Sequence, residues 1–142
     1  KSSKSNYAFK NSNDSSIYVS ISEVEKLQFD SLSILLDTRS EQEFSGTVQK
    51  NGAAAAGHIE QAMNIDWAAA VDFNGDKKFR STDELLKIYS KAGINGDSPV
   101  IIYCHTGVRS AHTLFVLTEL LGYRNIKNYD GSWTEWSHLK AN

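Results

Sequence analysis

The chain has 142 residues, 40% of them hydrophobic and 23% charged, with a formal net charge of −2. This is the size and balance of one globular domain with a real core, and it excludes the basic footprint of a nucleic-acid or anionic-membrane binder. Its apolar stretches stop well short of a membrane span. A single cysteine, Cys104, makes no internal disulfide and builds no zinc site, so it is either inert packing or a reagent. No signal peptide is visible and the first residue is Lys1 rather than methionine, so the true start is expected upstream. The cytoplasm is the expected compartment, or the periplasm if a signal peptide has been removed.

In chain order, the polar residues 1–16 read as an arm or linker, with Tyr7 and Phe9 as anchors, and residues 17–142 as the domain. Residues 16–20 suggest a short strand, and Ser22 with Glu25 has the spacing of a capping box opening a helix through Phe29. Residues 33–37 are an apolar run ending in Asp37, the pattern of a buried parallel strand whose C-terminal end meets solvent. Ser40-Glu41-Gln42-Glu43-Phe44 starts a short helix with an acidic first turn. Residues 46–57, with alanines at 53–56, read as a long flexible connection without chemistry of its own. A short strand is expected over 62–66, a turn of helix over 67–71 and a tight turn at 73–76.

Ser81 or Thr82 caps a helix over 83–91, with Leu85, Leu86, Ile88 and Tyr89 on one side and Gly93 ending it. Pro99 opens the strand that reaches Cys104. The run 111–121 is apolar nearly all round and predicts a central, buried helix ending at Gly122. A last strand over 125–129 and a closing helix over 131–139 follow. Strands alternating with helices predict an α/β fold, a central parallel sheet of about five strands with helices on both faces. Ligands bind at the C-terminal ends of such strands, where Asp37, Cys104 and Asp130 fall.

The β-branched strand delivers Cys104 to the loop His105-Thr106-Gly107-Val108-Arg109, which opens into a helix. Successive loop N–H groups, a helix N-terminus and Arg109 together lower a thiol pKa and hold an anion, and Gly107 lets the loop bend. Against this stands the reading of Cys104 as a small buried hydrophobe. Phosphatases acting through a cysteinyl phosphate use a loop one residue longer between Cys and Arg. The shorter loop suits a smaller electrophile, a single sulfur atom.

Around the loop, Asp37 either positions Arg109 or a loop amide, or pairs with Arg39. Glu43 is expected to pair with Arg109, since an unpaired acid at the mouth repels an anionic substrate. His105 beside Cys104 suggests a protease dyad, but sequence neighbours rarely set base and nucleophile face to face. His112 and His138 lack metal-site spacing. Asp72, Asn74, Asp76 and Asp83 echo a calcium loop, but Lys77 stands where that loop needs glycine, so a solvated turn is expected. Trp133 and Trp136 are expected in the core and the pocket wall.

Four stretches carry a family resemblance: Leu36-Asp37-Thr38-Arg39-Ser40 with Glu43-Phe44; Gly57-His58-Ile59 with Ala62 and Asn64; Tyr103-Cys104 through Gly107 and Arg109-Ser110; and Asn128-Tyr129-Asp130-Gly131-Ser132-Trp133-Thr134-Glu135-Trp136. On these the chain resembles the rhodanese family, and within it the C-terminal, cysteine-bearing half of tandem-domain thiosulfate sulfurtransferases. The resemblance implies that the chain is that half, either cut from a longer protein or standing alone. The resemblance implies a three-layer rhodanese-like fold and a structural role for His58. It also implies sulfane-sulfur transfer from thiosulfate to cyanide or a thiol through a persulfide on Cys104, held by the loop His105 to Arg109. Asp37, Arg39, Glu43 and Trp133 would support that loop. No metal and no organic cofactor are implied. The partners implied are the small sulfur donor, a thiol or protein acceptor, and an N-terminal rhodanese-like domain of the same protein.

Some tandem enzymes carry two basic residues after the cysteine and an arginine near the position of Glu43, whereas this chain has His105-Thr106 and Glu43. 3-Mercaptopyruvate transfer is the alternative activity, and a non-catalytic rhodanese-like binding module the alternative outside catalysis.

Overall fold

The computed structural model describes residues 15–27 and 32–140; the expected anchors Tyr7 and Phe9 and the expected helix end Phe29 lie outside them. Strands β1 (Ile34–Asp37), β2 (Met63–Asn64), β3 (Val100–Tyr103) and β4 (Ile126–Asn128) form one parallel sheet in the order β2-β1-β3-β4. Leu36 lies opposite Ile102, and Asp37 opposite Tyr103. The order reverses between β1 and β3, and this switch point opens a crevice at the C-terminal strand ends. Asp37 and Cys104 both reach it.

Alternation along the strands builds the layers, because successive side chains leave a strand on opposite faces. Leu36, Val100, Ile102 and Ile126 pack on one face with Leu85 and Tyr89 of α3 (Thr82–Ser90) and with Val116 and Leu117. Leu35, Ile101 and Tyr103 face the other way, onto Val24 of α1 (Ile21–Leu27) and Trp133 and Trp136 of α5 (Ser132–Leu139). The three-layer α/β arrangement follows directly. Ser81 caps α3 as expected, donating to Glu84 at 2.6 Å while the Glu84 N–H returns at 3.4 Å.

Several elements differ from the sequence reading. The sheet has four strands among the described residues, not about five, because Ser15–Ile17 forms a 3₁₀ turn and Tyr18 reaches β4 only as a single bridge to Asn128. Ser20 is drawn into capping α1 instead, its N–H and hydroxyl both donating to Glu23 at 2.8 Å. The pair that starts α1 is therefore Ser20 with Glu23, not Ser22 with Glu25. Both pairs have the spacing, and the earlier one starts a helix that places Val24 wholly in the core.

The expected central helix over 111–121 is α4 (Val108–Phe115), continued by a π-helical turn, Val116–Leu120. Only its inner side is buried. Val108 is 75% exposed and Phe115 47%, since a helix covering one sheet face must turn its other side outward. That outer side is aromatic, with Phe79 stacked on Phe115 at 5.8 Å and His112 set between Phe79 and Trp67, each at 5.1 Å. The segment 46–57, expected as a free connection, is instead fastened across the α5 side. The Ala54 N–H donates to Ser137 Oγ at 3.0 Å, Trp133 Nε1 to Ala55 O at 3.0 Å, and Arg39 Nη2 to Gly57 O at 2.7 Å. Among the described residues no helix is long and apolar enough to cross a membrane.

Candidate active site

The strand β3 hands Cys104 straight to a loop held from behind by the start of α5. The Cys104 N–H donates to Ser132 Oγ at 3.1 Å, and the Cys104 carbonyl accepts from the Trp133 N–H at 3.0 Å. His105 O accepts the Thr134 N–H at 3.1 Å and its hydroxyl at 2.7 Å. With the first two peptide units tied outward, the following amides turn toward the sulfur. The Gly107 N–H donates to Cys104 Sγ at 3.2 Å. Gly107 has φ +89°, and a Cβ there would fall on the side chain of Asp130, so only glycine fits the bend. Its carbonyl accepts from Ser110 Oγ at 2.8 Å, locking the loop to the first turn of α4.

Cys104 is fully buried. Burial pushes its thiol up, but the N–H and hydroxyl of Ser110 and the N–H groups of Thr106 and Arg109 outweigh that, and the net shift is downward from the ordinary 9.0. Inert packing gives the opposite sign, because an apolar surround favours the neutral thiol. A lowered thiol is the sign that an activated cysteine requires.

Arg109 turns from the loop to α2 (Glu41–Ser45), where Nη1 and Nη2 grip Glu43 Oε2 and Oε1 at 2.7 and 2.8 Å. This is the expected partner, held in the fork geometry that makes Arg–carboxylate pairs strong. Burial pushes Glu43 up, but the two hydrogen bonds and charge of Arg109, with Ser40, bring it down to about 2. Asp37 does not reach Arg109. It pairs with Arg39 at 2.6 Å, both wholly buried, and Arg39 lies 4.9 Å over the Trp133 ring. The short i to i+2 reach at the end of β1 decides this, since the Arg39 N–H also bonds Asp37 Oδ1 at 2.9 Å.

The remaining expected residues divide. Thr106 and Val108 stand exposed on the loop. His105 is 9% exposed and turns Nε2 to Asn51 O at 3.0 Å, so neither the dyad nor a substrate contact at that nitrogen is formed. His58 is exposed and satisfied, its Nδ1 donating to Phe44 O at 2.8 Å with the ring stacked on Phe44. The 72–78 segment is a solvated turn in which Asp76 pairs with Lys78. Sequence reasoning placed Asp130 at the ligand-binding strand ends but assigned no role to Ser132, Thr134 or Ser110, though all lie inside the stretches that carry the resemblance. Ser132 meets Cys104 across 28 positions and Thr134 meets His105 across 29, which no local pattern reveals, whereas Ser110 bonds Gly107 only three residues away.

A parallel sheet between two helical layers, with a lone thiol in an amide-lined loop leading into a helix N-terminus, defines an α/β cysteine-loop domain. The chain belongs to the rhodanese family: the model for the rhodanese-like domain matches residues 20–139. A Haloferax volcanii protein named "Putative thiosulfate sulfurtransferase" is 50% identical over 110 residues, covering 74% of this chain and 38% of that protein. The sulfur carrier protein TtuD of Thermus thermophilus is 48% identical over 111 residues, covering 74% of this chain and 38% of its own length. A structure of EanB as a cysteine persulfide, in a tetrahedral intermediate state with ergothioneine, superposes with a TM-score of 0.78 at 27% identity, covering 89% of this chain and 31% of that one. The chain thus spans about two fifths of the length of these curated relatives.

Proposed function

We propose that the domain is a sulfurtransferase that carries sulfane sulfur on Cys104, with thiosulfate as donor and cyanide or a thiol as acceptor. The observation that carries the reading is the buried thiol whose pKa is nonetheless lowered, with the Gly107 N–H at 3.2 Å from Sγ. The persulfide in the EanB structure and the names of the two curated relatives support it.

In the first half-reaction the Cys104 thiolate attacks the outer sulfur of thiosulfate. The sulfur–sulfur bond breaks, sulfite leaves with its electron pair, and Cys104 becomes a persulfide anion. The amides that lower the thiol pKa hold that anion in turn, one atom further out. In the second half-reaction cyanide or a thiolate attacks the terminal sulfur and the Cys104 thiolate is restored, a ping-pong cycle. Asp37, Arg39 and Trp133 act indirectly, pinning the ends of β1 and α5 against the loop. His105 serves through its backbone. A reduced thiol suits a reducing compartment such as the cytoplasm.

The test is an intact mass after incubation with thiosulfate. The unsubstituted protein gains one sulfur atom with release of sulfite, and Cys104→Ser gains none. No gain and no sulfite would sink the reading.

A further inference from the structure

The loop meets its donor with a cation that is already spoken for. Both Nη groups of Arg109 are closed on Glu43, at side-chain exposures of 18% and 5%. Glu43 is held from the far side as well, accepting from Ser40 Oγ at 3.1 Å and Ser40 N at 3.4 Å as part of the capping box of α2. It cannot swing off Arg109 without loosening that helix start. Asp66 adds its charge to the field on Arg109. Asp130 borders Gly107. The one further cation acting on Glu43, Lys50, is an exposed side chain, and the His105 imidazole is turned to Asn51. Before any thiolate forms, the acidic side chains Glu43, Asp66 and Asp130 thus outnumber the cations Arg109 and Lys50 named around the loop.

We propose that Glu43 is the residue that sets donor preference: by closing Arg109 it weakens binding of dianionic thiosulfate more than that of a singly charged organic sulfur donor. This rests on the sulfurtransferase reading and concerns how the same loop ranks its donors. 3-Mercaptopyruvate, with one carboxylate, is the singly charged probe. With it the Cys104 thiolate attacks the donor sulfur, the carbon–sulfur bond breaks, and the electron pair goes to the enolate of pyruvate. The donor's thiol proton ends on that carbon, leaving the same persulfide anion. A charge field acts on a dianion with twice the energy it exerts on a monoanion, so the fold-change for thiosulfate is the square of that for the probe.

The experiment compares the unsubstituted protein with Glu43→Gln and Glu43→Asp, measuring kcat and KM for both donors with cyanide as acceptor. Glu43→Gln keeps the shape and an oxygen for Ser40 but removes the charge that neutralises Arg109. The expected result is a KM for thiosulfate lower by about tenfold, against about threefold for 3-mercaptopyruvate, with Glu43→Asp retaining the original ranking. Equal shifts for the two donors, or Glu43→Asp behaving like Glu43→Gln, overturn the proposal. A variant that fails to fold leaves a second measurement on the unsubstituted protein. Added salt screens the acidic surround and lowers KM for thiosulfate more than for the probe, and the opposite order overturns the proposal. If neither donor adds sulfur to Cys104 in the unsubstituted protein, the sulfurtransferase reading falls and this one with it. Sulfur gain with donor-blind kinetics removes only the role of Glu43.

Discussion

Ser132 ties the reactive loop to the closing helix, and its removal gives a sharp test of that tie. Its hydroxyl accepts the Cys104 N–H at 3.1 Å and donates to Tyr129 O at 2.9 Å, and the residue is wholly buried. Ser132→Ala leaves a buried N–H facing a methyl group, which costs about 2 kcal/mol. In a chain of this length that lowers Tm by about 6 °C. Ser132 also sits at φ +57°, a left-handed conformation that glycine adopts at less cost. Ser132→Gly loses the same hydrogen bonds but recovers about 1 kcal/mol of backbone strain, so it is the milder of the two. Urea unfolding of the three proteins, with intact-mass kinetics of thiosulfate loading, reads both quantities. If Ser132→Ala falls within about 0.5 kcal/mol of the unsubstituted protein, or Ser132→Gly is the worse variant, the hydrogen bond to Cys104 does not anchor the loop.

Arg39→Met strands the fully buried Asp37 carboxylate and is expected to cost about 3–5 kcal/mol, with Asp37→Asn/Arg39→Met recovering part of it; a loss below about 1 kcal/mol in urea midpoints refutes the buried pair. The thiol of Cys104, held below 9.0, binds its proton less tightly folded than unfolded. Its contribution to stability is full above the unfolded pKa and is lost as pH falls through the folded one. Alkylation of Cys104 is therefore expected to rise at lower pH than for a free cysteine, and the stability gap to Cys104→Ser to widen toward alkaline pH. An alkylation midpoint at or above that of free cysteine refutes the lowered thiol pKa. Glu43 is likewise depressed, from 4.5 to about 2. Its stabilisation, present above 4.5, fades as pH falls toward 2, and acid titration of Glu43→Gln against the unsubstituted protein should show the gap closing across that window. A pH-independent gap there refutes the depressed carboxylate.

What could be read from the sequence was what local pattern encodes. The apolar run ending in Asp37, the β-branched run into Cys104 and the glycine three residues further on are short-range signals, and these two strands stand within a residue or two of their expected places. The Arg109–Glu43 pair was also legible, because the charge of a loop arginine calls for a carboxylate and Glu43 was the one at hand. Where two local signals competed, the sequence could not choose. Ser20 and Ser22 both have capping-box spacing to a glutamate, and the burial of Val24 goes with the first.

The sequence by itself determined the class of fold, the thiol, and the length and bend of its loop, because strand periodicity, cysteine count and glycine placement are all expressed along the chain. The tertiary structure alone decided how that thiol is supported. Ser132 and Thr134 meet the loop only because the order β2-β1-β3-β4 sets the end of β4 beside the end of β3. Likewise Asp37 takes Arg39 rather than Arg109, since a buried carboxylate pairs with the cation whose backbone already holds it in place. Contacts between distant residues depend on the packing of whole elements, which no stretch of chain contains.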